Sequence, residues 1–161
     1  AYTGFLYAGL MIDSSGQPSV IEYNCRFGDP ETQPILHRLN SDLVALCQSA
    51  LAGTLNNSTI EWDSRPAVGV VLAAGGYPGS YEKGHIIDGL EEDWPNDIKI
   101  FHAGTLAEDD KIVTNGGRVL CISALGDTIR SASESAYRCI DRISWEGMYH
   151  RRDIGWRGID R

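Results

Sequence analysis

A short stretch near the start of the chain, residues 20–33, constrains the fold more than any other part of the sequence. Its first half alternates apolar and polar side chains, which is typical of a β-strand with two different faces. The apolar face is predicted to carry Ile21, Tyr23, Cys25 and Phe27, and the polar face Glu22, Asn24 and Arg26. An ordinary half-exposed strand shows the same alternation. The pattern alone therefore predicts a strand and assigns no function.

The strand runs into a Gly-Asp-Pro-Glu loop that adds two carboxylates, Asp29 and Glu31. Glycine and proline favour a turn here, because one allows unusual dihedral angles and the other fixes one. The oxygens of Glu22 and Asn24 are ligands that Mg²⁺ accepts, and the guanidinium of Arg26 suits a phosphate or a carboxylate. Charged groups gathered at a strand end and its loop favour a binding site over plain surface.

Composition narrows the class of protein. The 161 residues are 42% apolar and 22% charged, which is typical of a soluble globular chain with about one domain or slightly more. The net charge of −8 argues against a main role in binding nucleic acid or a membrane surface. No apolar run approaches the roughly 20 residues of a membrane helix. No secretory leader opens the chain, and the start at Ala1 without a methionine suggests a fragment.

The four cysteines are widely spaced and form no CxxC pair. This spacing predicts buried thiols in a reducing compartment and no zinc site.

The first part of the chain is predicted to contain a hairpin and two helices. Strands over residues 5–12 and 19–27 flank a turn, and apolar spacing predicts a helix from residue 35 and a second over 42–51. Asn40 or Ser41 is expected to cap the second helix, and Gly53 to end it. His37 and Arg38 follow the loop and could face it, although a lone histidine on a helix is more often structural. A domain boundary is expected near residues 62–65, which gives domains of 1–64 and 65–161.

The remainder is predicted to be a mainly antiparallel sheet with a helix against it. Strands are expected at residues 67–74, 86–90, 98–102, 111–113, 118–125 and 143–145, and a helix over 127–140 capped by Asp127 or Thr128. The Asn115-Gly116 pair predicts a hairpin between the strands on either side of it. The element order is that of an α+β fold.

Two glycine-rich turns in this part are candidate ligand loops. Gly75 and Gly76 follow a strand and would let backbone N–H groups approach a ligand closely. This loop is not a Walker A loop, because the Lys-Ser/Thr ending is missing. Gly117 and Arg118 follow the Asn-Gly pair, and Arg118 is a candidate phosphate contact. Ordinary turns at strand ends would look the same.

Residues 26–33, Arg-Phe-Gly-Asp-Pro-Glu-Thr-Gln, resemble the signature of the phosphoribosylamine–glycine ligase family, a branch of the ATP-grasp superfamily. The strings Ala-Ala-Gly-Gly-Tyr-Pro-Gly, His-Ala-Gly-Thr and Asn-Gly-Gly-Arg, and the basic tail Arg-Arg-Asp-Ile-Gly-Trp-Arg, are similar to that family as well. The resemblance covers nearly the whole chain. It implies that residues 1–64 form the end of an ATP-grasp region and residues 65–161 a small C-terminal domain.

The resemblance also implies a reaction. Members of the family join glycine to 5-phosphoribosylamine with ATP, through a glycyl phosphate, and give glycinamide ribonucleotide, ADP and phosphate in the cytoplasmic synthesis of purines. Mg²⁺ or Mn²⁺ would bind at Glu22 and Asn24, and Arg26 would be catalytic. The implied substrate-binding residues are Asp29, Glu31, Gly75, Gly76, Gly117 and Arg118. Arg151 and Arg152 are further candidates.

Several features set limits on this interpretation. The lysine-bearing lid and the N-terminal domain of the family lie outside these residues, so the chain by itself is expected to bind ATP weakly and to lack ligase activity. The strand at residues 7–10 carries no acid where many ATP-grasp enzymes have a second metal ligand. Two alternatives stay open: a non-catalytic binding module derived from an ATP-grasp protein, and an ATP-grasp ligase for another carboxylic acid.

Overall fold

The computed structural model describes residues 2–159 and has the predicted α+β composition. The chain divides into two compact units. The first comprises Ala1–Thr32 and Leu39–Trp62, and the second comprises Gln33–Arg38 and Asp63–Arg161.

The first unit begins with an antiparallel hairpin, which confirms the prediction. Strand β1 is Tyr7–Ile12 and strand β2 is Pro18–Asn24. Asp13 fixes the turn between them, because its carboxylate accepts hydrogen bonds from the backbone N–H groups of Ser15 and Gln17 at 2.8 and 3.0 Å. The second strand ends at Asn24, three residues earlier than expected, so Arg26 lies beyond it.

The predicted alternation of β2 is wrong at one position. Gly9 pairs with Glu22 and Leu10 with Val20, so Ile21 is an extra residue in a β-bulge. Ile21 and Tyr23 are 64% and 62% exposed, and Cys25 lies beyond the strand. The four-residue apolar face is therefore neither continuous nor buried.

Two helices follow, α1 over Thr32–Arg38 and α2 over Leu43–Leu51, with a short 3-10 turn at Leu55–Asn57. The break between the helices falls where it was predicted. The cap of α2 is Asp42 rather than Asn40 or Ser41, because the Asp42 carboxylate accepts from the N–H groups of Val44 and Ala45 at 2.7 and 3.1 Å. Gly53 follows the helix with a φ of 70°, a left-handed conformation that favours glycine.

The second unit is built on a three-stranded antiparallel sheet. Its elements in chain order are β3 Ala67–Ala73, β4 Ile98–His102, β5 Thr105–Glu108, β6 Lys111–Thr114, β7 Arg118–Leu125, α3 Ile129–Ile140 and α4 Trp156–Ile159. The strand order is β3-β7-β4, with β7 in the centre, and β5 and β6 form a separate two-stranded sheet.

Helix α3 covers one face of this sheet and forms the core with it. Val70 pairs with Ile122 and Leu72 with Leu120 across β3 and β7, and all four side chains are completely buried. From the helix, Ala132, Ala136 and Ile140 are buried at the same core. Thr128 caps the helix through a capping box with Ser131, as one of the two predicted caps.

The predicted hairpin at Asn115-Gly116 does not form. Strand β6 pairs with β5, whereas β7 pairs with β3 and β4, so the turn connects two different sheets. The hairpin in this region instead turns at Asp109 and Asp110, which adopt φ values of 46° and 61°.

The short strands predicted at residues 86–90 and 143–145 are reduced to isolated bridges. Ile86 pairs with Val113, and Asp88 pairs with Ser144. Backbone hydrogen bonds between Asp88 and Ser144, at 2.9 and 3.2 Å, hold the two segments together without a ladder.

The cysteines agree in part with the prediction. None of the four is in a disulfide within the described residues, and Cys121 and Cys139 are buried. Cys25 is exposed, because β2 ends before it, so the expectation that it is buried is wrong. Over residues 2–159, no helix combines the length and the apolar character needed to cross a membrane.

Candidate functional site

Tyr7 is the central side chain of a polar cluster in the first unit. It pairs with Asn24 across the hairpin, and Gly9 pairs with Glu22, so Tyr7, Glu22 and Asn24 share one face of the ladder. The Tyr7 hydroxyl donates a hydrogen bond to Oε1 of Glu31 at 3.3 Å. The predicted residues Glu22, Asn24 and Glu31 therefore meet around a tyrosine that the sequence analysis did not identify.

Gly28 allows the loop to approach the hairpin. A Cβ atom on this buried residue would lie 2.8 Å from Cε2 of Tyr7 and would collide with Oε2 of Glu31. Thr32 fixes the other end of the loop, since its hydroxyl and its N–H both donate to the Gly28 carbonyl, at 2.5 and 3.1 Å. Helix α1 begins there.

The charges of this cluster act together on the Tyr7 hydroxyl. The negative charge of Glu31 is the main cause that raises the pKa of Tyr7, and burial, the hydrogen bond to Glu31 and the charge of Glu22 raise it further. The guanidinium of Arg26 acts in the opposite direction. Tyr7 is therefore a protonated donor at neutral pH, and Arg26, Glu22 and Glu31 are close enough to influence the same atom.

Arg26 and Asp29 lie on the loop rather than on the strand. Arg26 donates from Nη1 to the carbonyl of Phe27 at 2.8 Å, and its side chain is exposed. The prediction that Arg26 continues the polar face of β2 is wrong, because the strand has ended. Asp29 is exposed in the turn that follows.

The two predicted metal ligands, the exposed Glu22 and the half-buried Asn24, lie on the same face of the hairpin. Within residues 2–159, no group of three or more histidine, cysteine, aspartate or glutamate side chains is arranged to hold a metal ion. The pair fits Mg²⁺ in the way the ion often binds, through one or two protein groups with phosphates and water as the remaining ligands. It would not suit a metal that needs a complete set of protein ligands.

A second cluster forms in the second unit, at the end of β3 and the start of β7. Ala73 pairs with Arg118, and the N–H of Ala74 donates to the carbonyl of Gly117 at 2.8 Å. The loop with Gly75 and Gly76 therefore starts beside Gly117 and Arg118, so the structure brings all four of these predicted residues together.

Close packing explains two of the glycines. A Cβ atom on Gly117 would lie 2.6 Å from Cε2 of Tyr77, and one on Gly75 would lie 2.7 Å from the carbonyl oxygen of Gly147. Tyr149 also bonds to Ala73 through two backbone hydrogen bonds of 2.8 and 2.9 Å. The C-terminal segment thus joins the same edge of the sheet.

The structural interpretation of His37 is correct. The ring is buried in the second unit, and Nδ1 lies 2.9 Å from Oγ of Ser123. Burial is the main cause that lowers the pKa of His37, and the charge of Lys99 lowers it further. Arg38 donates to the carbonyl of Asp63 at 3.0 and 3.2 Å.

Comparison with known proteins identifies the class to which this fold belongs. Residues 67–157 match the family model described as phosphoribosylglycinamide synthetase, C domain, and residues 1–32 match the ATP-grasp (A) domain of the same synthetase. The C-domain match covers more than half of the 161 residues. The chain therefore belongs to the phosphoribosylglycinamide synthetase family.

Particular relatives agree with this assignment. The chain is 62% identical over 160 residues to the phosphoribosylamine–glycine ligase of Vibrio cholerae and 59% identical to that of Pseudomonas aeruginosa, with 99% of this chain covered in each case. It spans 37% of the length of both relatives. The crystal structure of a phosphoribosylamine–glycine ligase from Thermotoga maritima superposes with a TM-score of 0.74 at 39% identity, over 92% of this chain and 36% of that one.

Proposed function

We propose that this chain is the C-terminal part of an ATP-dependent carbon–nitrogen ligase that joins glycine to 5-phosphoribosylamine in the cytoplasmic synthesis of purines. The observation that carries the proposal is the 62% identity to a phosphoribosylamine–glycine ligase over 99% of this chain. The clustering of Glu22, Asn24 and Glu31 around Tyr7 supports it, because these are residues to which the resemblance assigns metal and substrate binding.

The reaction needs positioning and charge neutralisation rather than a protein nucleophile. An oxygen of the glycine carboxylate attacks the γ-phosphorus of ATP and ADP leaves. The amine of phosphoribosylamine then attacks the acyl carbon, and inorganic phosphate leaves with the amine proton lost. The products are glycinamide ribonucleotide, ADP and phosphate.

Glu22 and Asn24 would hold a divalent ion, Mg²⁺ or Mn²⁺, through a carboxylate and an amide oxygen. The bound ion supplies positive charge that neutralises the phosphates of ATP. Gly9 lies opposite Glu22 in the hairpin, where a Cβ atom would lie 3.1 Å from Cγ of Glu22. A side chain at position 9 would therefore press against Cγ of Glu22.

Arg26 would bind the carboxylate of glycine or the phosphoryl group in transit, because its guanidinium is exposed at the loop and carries a fixed positive charge. Asp29 and Glu31 would bind the substrate amine. Glu31 accepts a hydrogen bond from Tyr7, which orients one oxygen and leaves the other for a ligand.

In the second unit, Gly75, Gly76, Gly117 and Arg118 would contact substrate through backbone N–H groups and a guanidinium.

A chimera tests this proposal directly. The part of the Vibrio cholerae ligase that this chain does not match supplies the missing N-terminal portion, and the present chain replaces the rest. We expect release of ADP that requires both glycine and phosphoribosylamine, and no ligase activity from the 161-residue chain alone. A chimera that folds and hydrolyses ATP only with another carboxylic acid would reject this substrate assignment, and a folded chimera without any ATP turnover would favour a binding module.

Within the chimera, Glu22→Gln removes one charge from the proposed metal site and should reduce kcat/KM at least a hundredfold. Glu134→Gln is the matched control, because Glu134 is exposed on α3 and its substitution makes the same chemical change. Equal activity in the two variants would refute the role of Glu22 in metal binding.

A further inference from the structure

Helix α1 packs on the face of the three-stranded sheet that α3 leaves uncovered. Side chains alternate between the two faces of a strand, so Val70 points to the core under α3 and its neighbour Gly69 to the other face. Ser123 of β7 pairs with Gly69 and shares that face. His37 lies against Ser123, and Pro34 lies close to Gly69. The helix is therefore docked on this row of the sheet through residues 34–37.

The docking of α1 depends on a titratable side chain. Within the helix, Thr32–Arg38, His37 is the one buried residue, and the others are half-buried. An unperturbed histidine changes its charge between pH 5 and pH 8, which no other common side chain does. The contact that holds this short helix on the sheet is therefore sensitive to protons.

The hydrogen bonds of the ring suit its neutral form. Nδ1 of His37 lies 2.9 Å from Oγ of Ser123, which is fully buried. Nε2 is buried as well and has no hydrogen-bond partner within residues 2–159. A protonated ring would bury a positive charge together with an Nε2–H group that no acceptor reaches, and burial of an unpaired charge costs far more than burial of a neutral ring.

The charged groups around the ring offer it no available counterion. Burial is the main cause that lowers the pKa of His37, and the charges of Lys99 on β4 and of Arg65 lower it further. Asp97 and Asp63 act in the opposite direction. Both carboxylates already form ion pairs with Arg65, each at 2.7 Å, so neither is free to accept from the ring.

We propose that His37 is an acid-sensitive latch, in which uptake of a proton by the ring releases residues 34–37 from the sheet. The next residue stays attached, because Arg38 donates to the carbonyl of Asp63 and its own carbonyl accepts from the N–H of Asp63 at 2.7 Å. The pKa of the docked ring is below the ordinary value of 6.5 that the released ring regains, so docking is fully favoured above pH 6.5 and weakens as the pH falls below it. The latch is independent of any ligase activity.

Two cysteines on opposite faces of the sheet can report the opening. Cys121 lies on the α1 face, where a Cβ atom on Gly69 would be 3.5 Å from its Sγ atom. Cys139 on α3 belongs to the core on the other face. Both are 2% exposed. Release of α1 should uncover Cys121 and leave Cys139 covered, whereas global unfolding uncovers both.

Thiol labelling of the 161-residue chain tests the latch. The chain is treated with methyl methanethiosulfonate between pH 8 and pH 5, and peptide mass spectrometry gives the labelling rate of each cysteine. We expect the ratio of the Cys121 rate to the Cys139 rate to rise at least tenfold at pH 5, since the intrinsic pH dependence of an exposed thiol cancels in the ratio. His37→Asn keeps an amide that can bond to Ser123 but cannot take up the proton, so its ratio should stay constant within twofold. His102→Asn, at an exposed position of β4, should respond like the unmodified chain.

Three labelling results would overturn the latch. They are a constant ratio in the unmodified chain, an equal rise for both cysteines, and the same rise in His37→Asn as in the unmodified chain. Nuclear magnetic resonance adds a measurement that needs no variant, because the ring signals of His37 can be assigned through their contacts with the β protons of Ser123. The titration midpoint of the ring should lie below pH 6.5 and coincide with that of the Cys121 response, and two separate midpoints would likewise reject the proposal.

Discussion

The Nδ1 atom of His37 lies 2.9 Å from the Oγ atom of Ser123, a residue 86 positions later in the chain. His37 is 8% exposed and Ser123 is fully buried. The bond therefore joins helix α1 to the central strand β7 within the second unit, and neither polar group can turn to water instead. On the same face of the sheet, a Cβ atom on Gly69 would lie 3.2 Å from Cδ of Pro34, so the helix approaches the strands closely.

Ser123→Ala should destabilise the chain, because the imidazole of His37 loses its partner while it stays buried. We expect the free energy of unfolding in urea to fall by about 1–3 kcal/mol, the cost of an unsatisfied buried polar group. Ser14→Ala is the control, since Ser14 lies in the exposed turn between β1 and β2 and should change stability by less than about 0.5 kcal/mol. Equal effects of the two substitutions would show that the bond contributes nothing.

Asp63→Asn should remove part of the acid sensitivity of the fold. The Asp63 carboxylate accepts from Nη2 of Arg65 at 2.7 Å, and hydrogen bonds from Arg65 lower the pKa of Asp63 to about 2. The ordinary pKa is 3.8, so this contribution to stability is complete above pH 3.8 and is lost as the pH falls toward 2. Urea midpoints between pH 5 and pH 2 should fall less steeply in Asp63→Asn than in the unmodified chain, and Asp93→Asn, at an exposed position, should keep the original slope.

Gly117→Ala should disturb the second cluster through Tyr77, because the added methyl group would overlap the tyrosine ring. We expect a loss of about 1–3 kcal/mol in the free energy of unfolding, the usual cost of overpacking. The double variant Gly117→Ala with Tyr77→Ala isolates the cause, since removal of the ring should recover part of the loss. Simple additivity of the two single substitutions would contradict the contact.

Tyr7→Phe in the chimera tests the first cluster without changing its charge. The ring stays and the hydroxyl that donates to Glu31 is removed. A hydrogen bond to a charged group contributes about 1.5–3 kcal/mol, so kcat/KM should fall roughly ten- to a hundredfold if Glu31 must be oriented. Tyr23→Phe offers the same chemical change at an exposed position on the opposite face of β2, and a comparable loss in both variants would count against a specific role of Tyr7.

The elements that depend on neighbouring residues were predictable from the sequence. The hairpin, both early helices, strands β3, β4 and β7 and the α3 cap follow from spacing, turn chemistry and capping. The bulge at Ile21 was not predictable, because alternation carries no information about an extra residue in one strand. The Asn115-Gly116 pair predicts a turn correctly but not its partners, since sheet pairing between distant strands outweighs the local preference for a hairpin.

The residues of the candidate site were likewise predictable only where neighbouring positions in the sequence reveal them. Charged residues close together in the sequence, such as Glu22 and Glu31, stand out by themselves. Tyr7 does not stand out, because an aromatic residue in an apolar strand is expected to pack, and only its pairing with Asn24 shows where it lies. If residues at equal distances from the Asp13 turn are paired, the two strands can be aligned from the sequence. The bulge at Ile21 then shifts the partner of Tyr7 by one residue.

The unit boundaries bear on how the protein can be divided. Residues Gln33–Arg38 belong to the second unit, although Leu39–Trp62 of the first unit separates them from its remainder. No single cleavage of the polypeptide therefore separates the two units. A recombinant piece that starts at Asp63 would lack Pro34 and His37, and would present Gly69 and the Ser123 hydroxyl to solvent on a face that the longer chain covers. Expression of the second unit by itself calls for a permuted chain that restores helix α1.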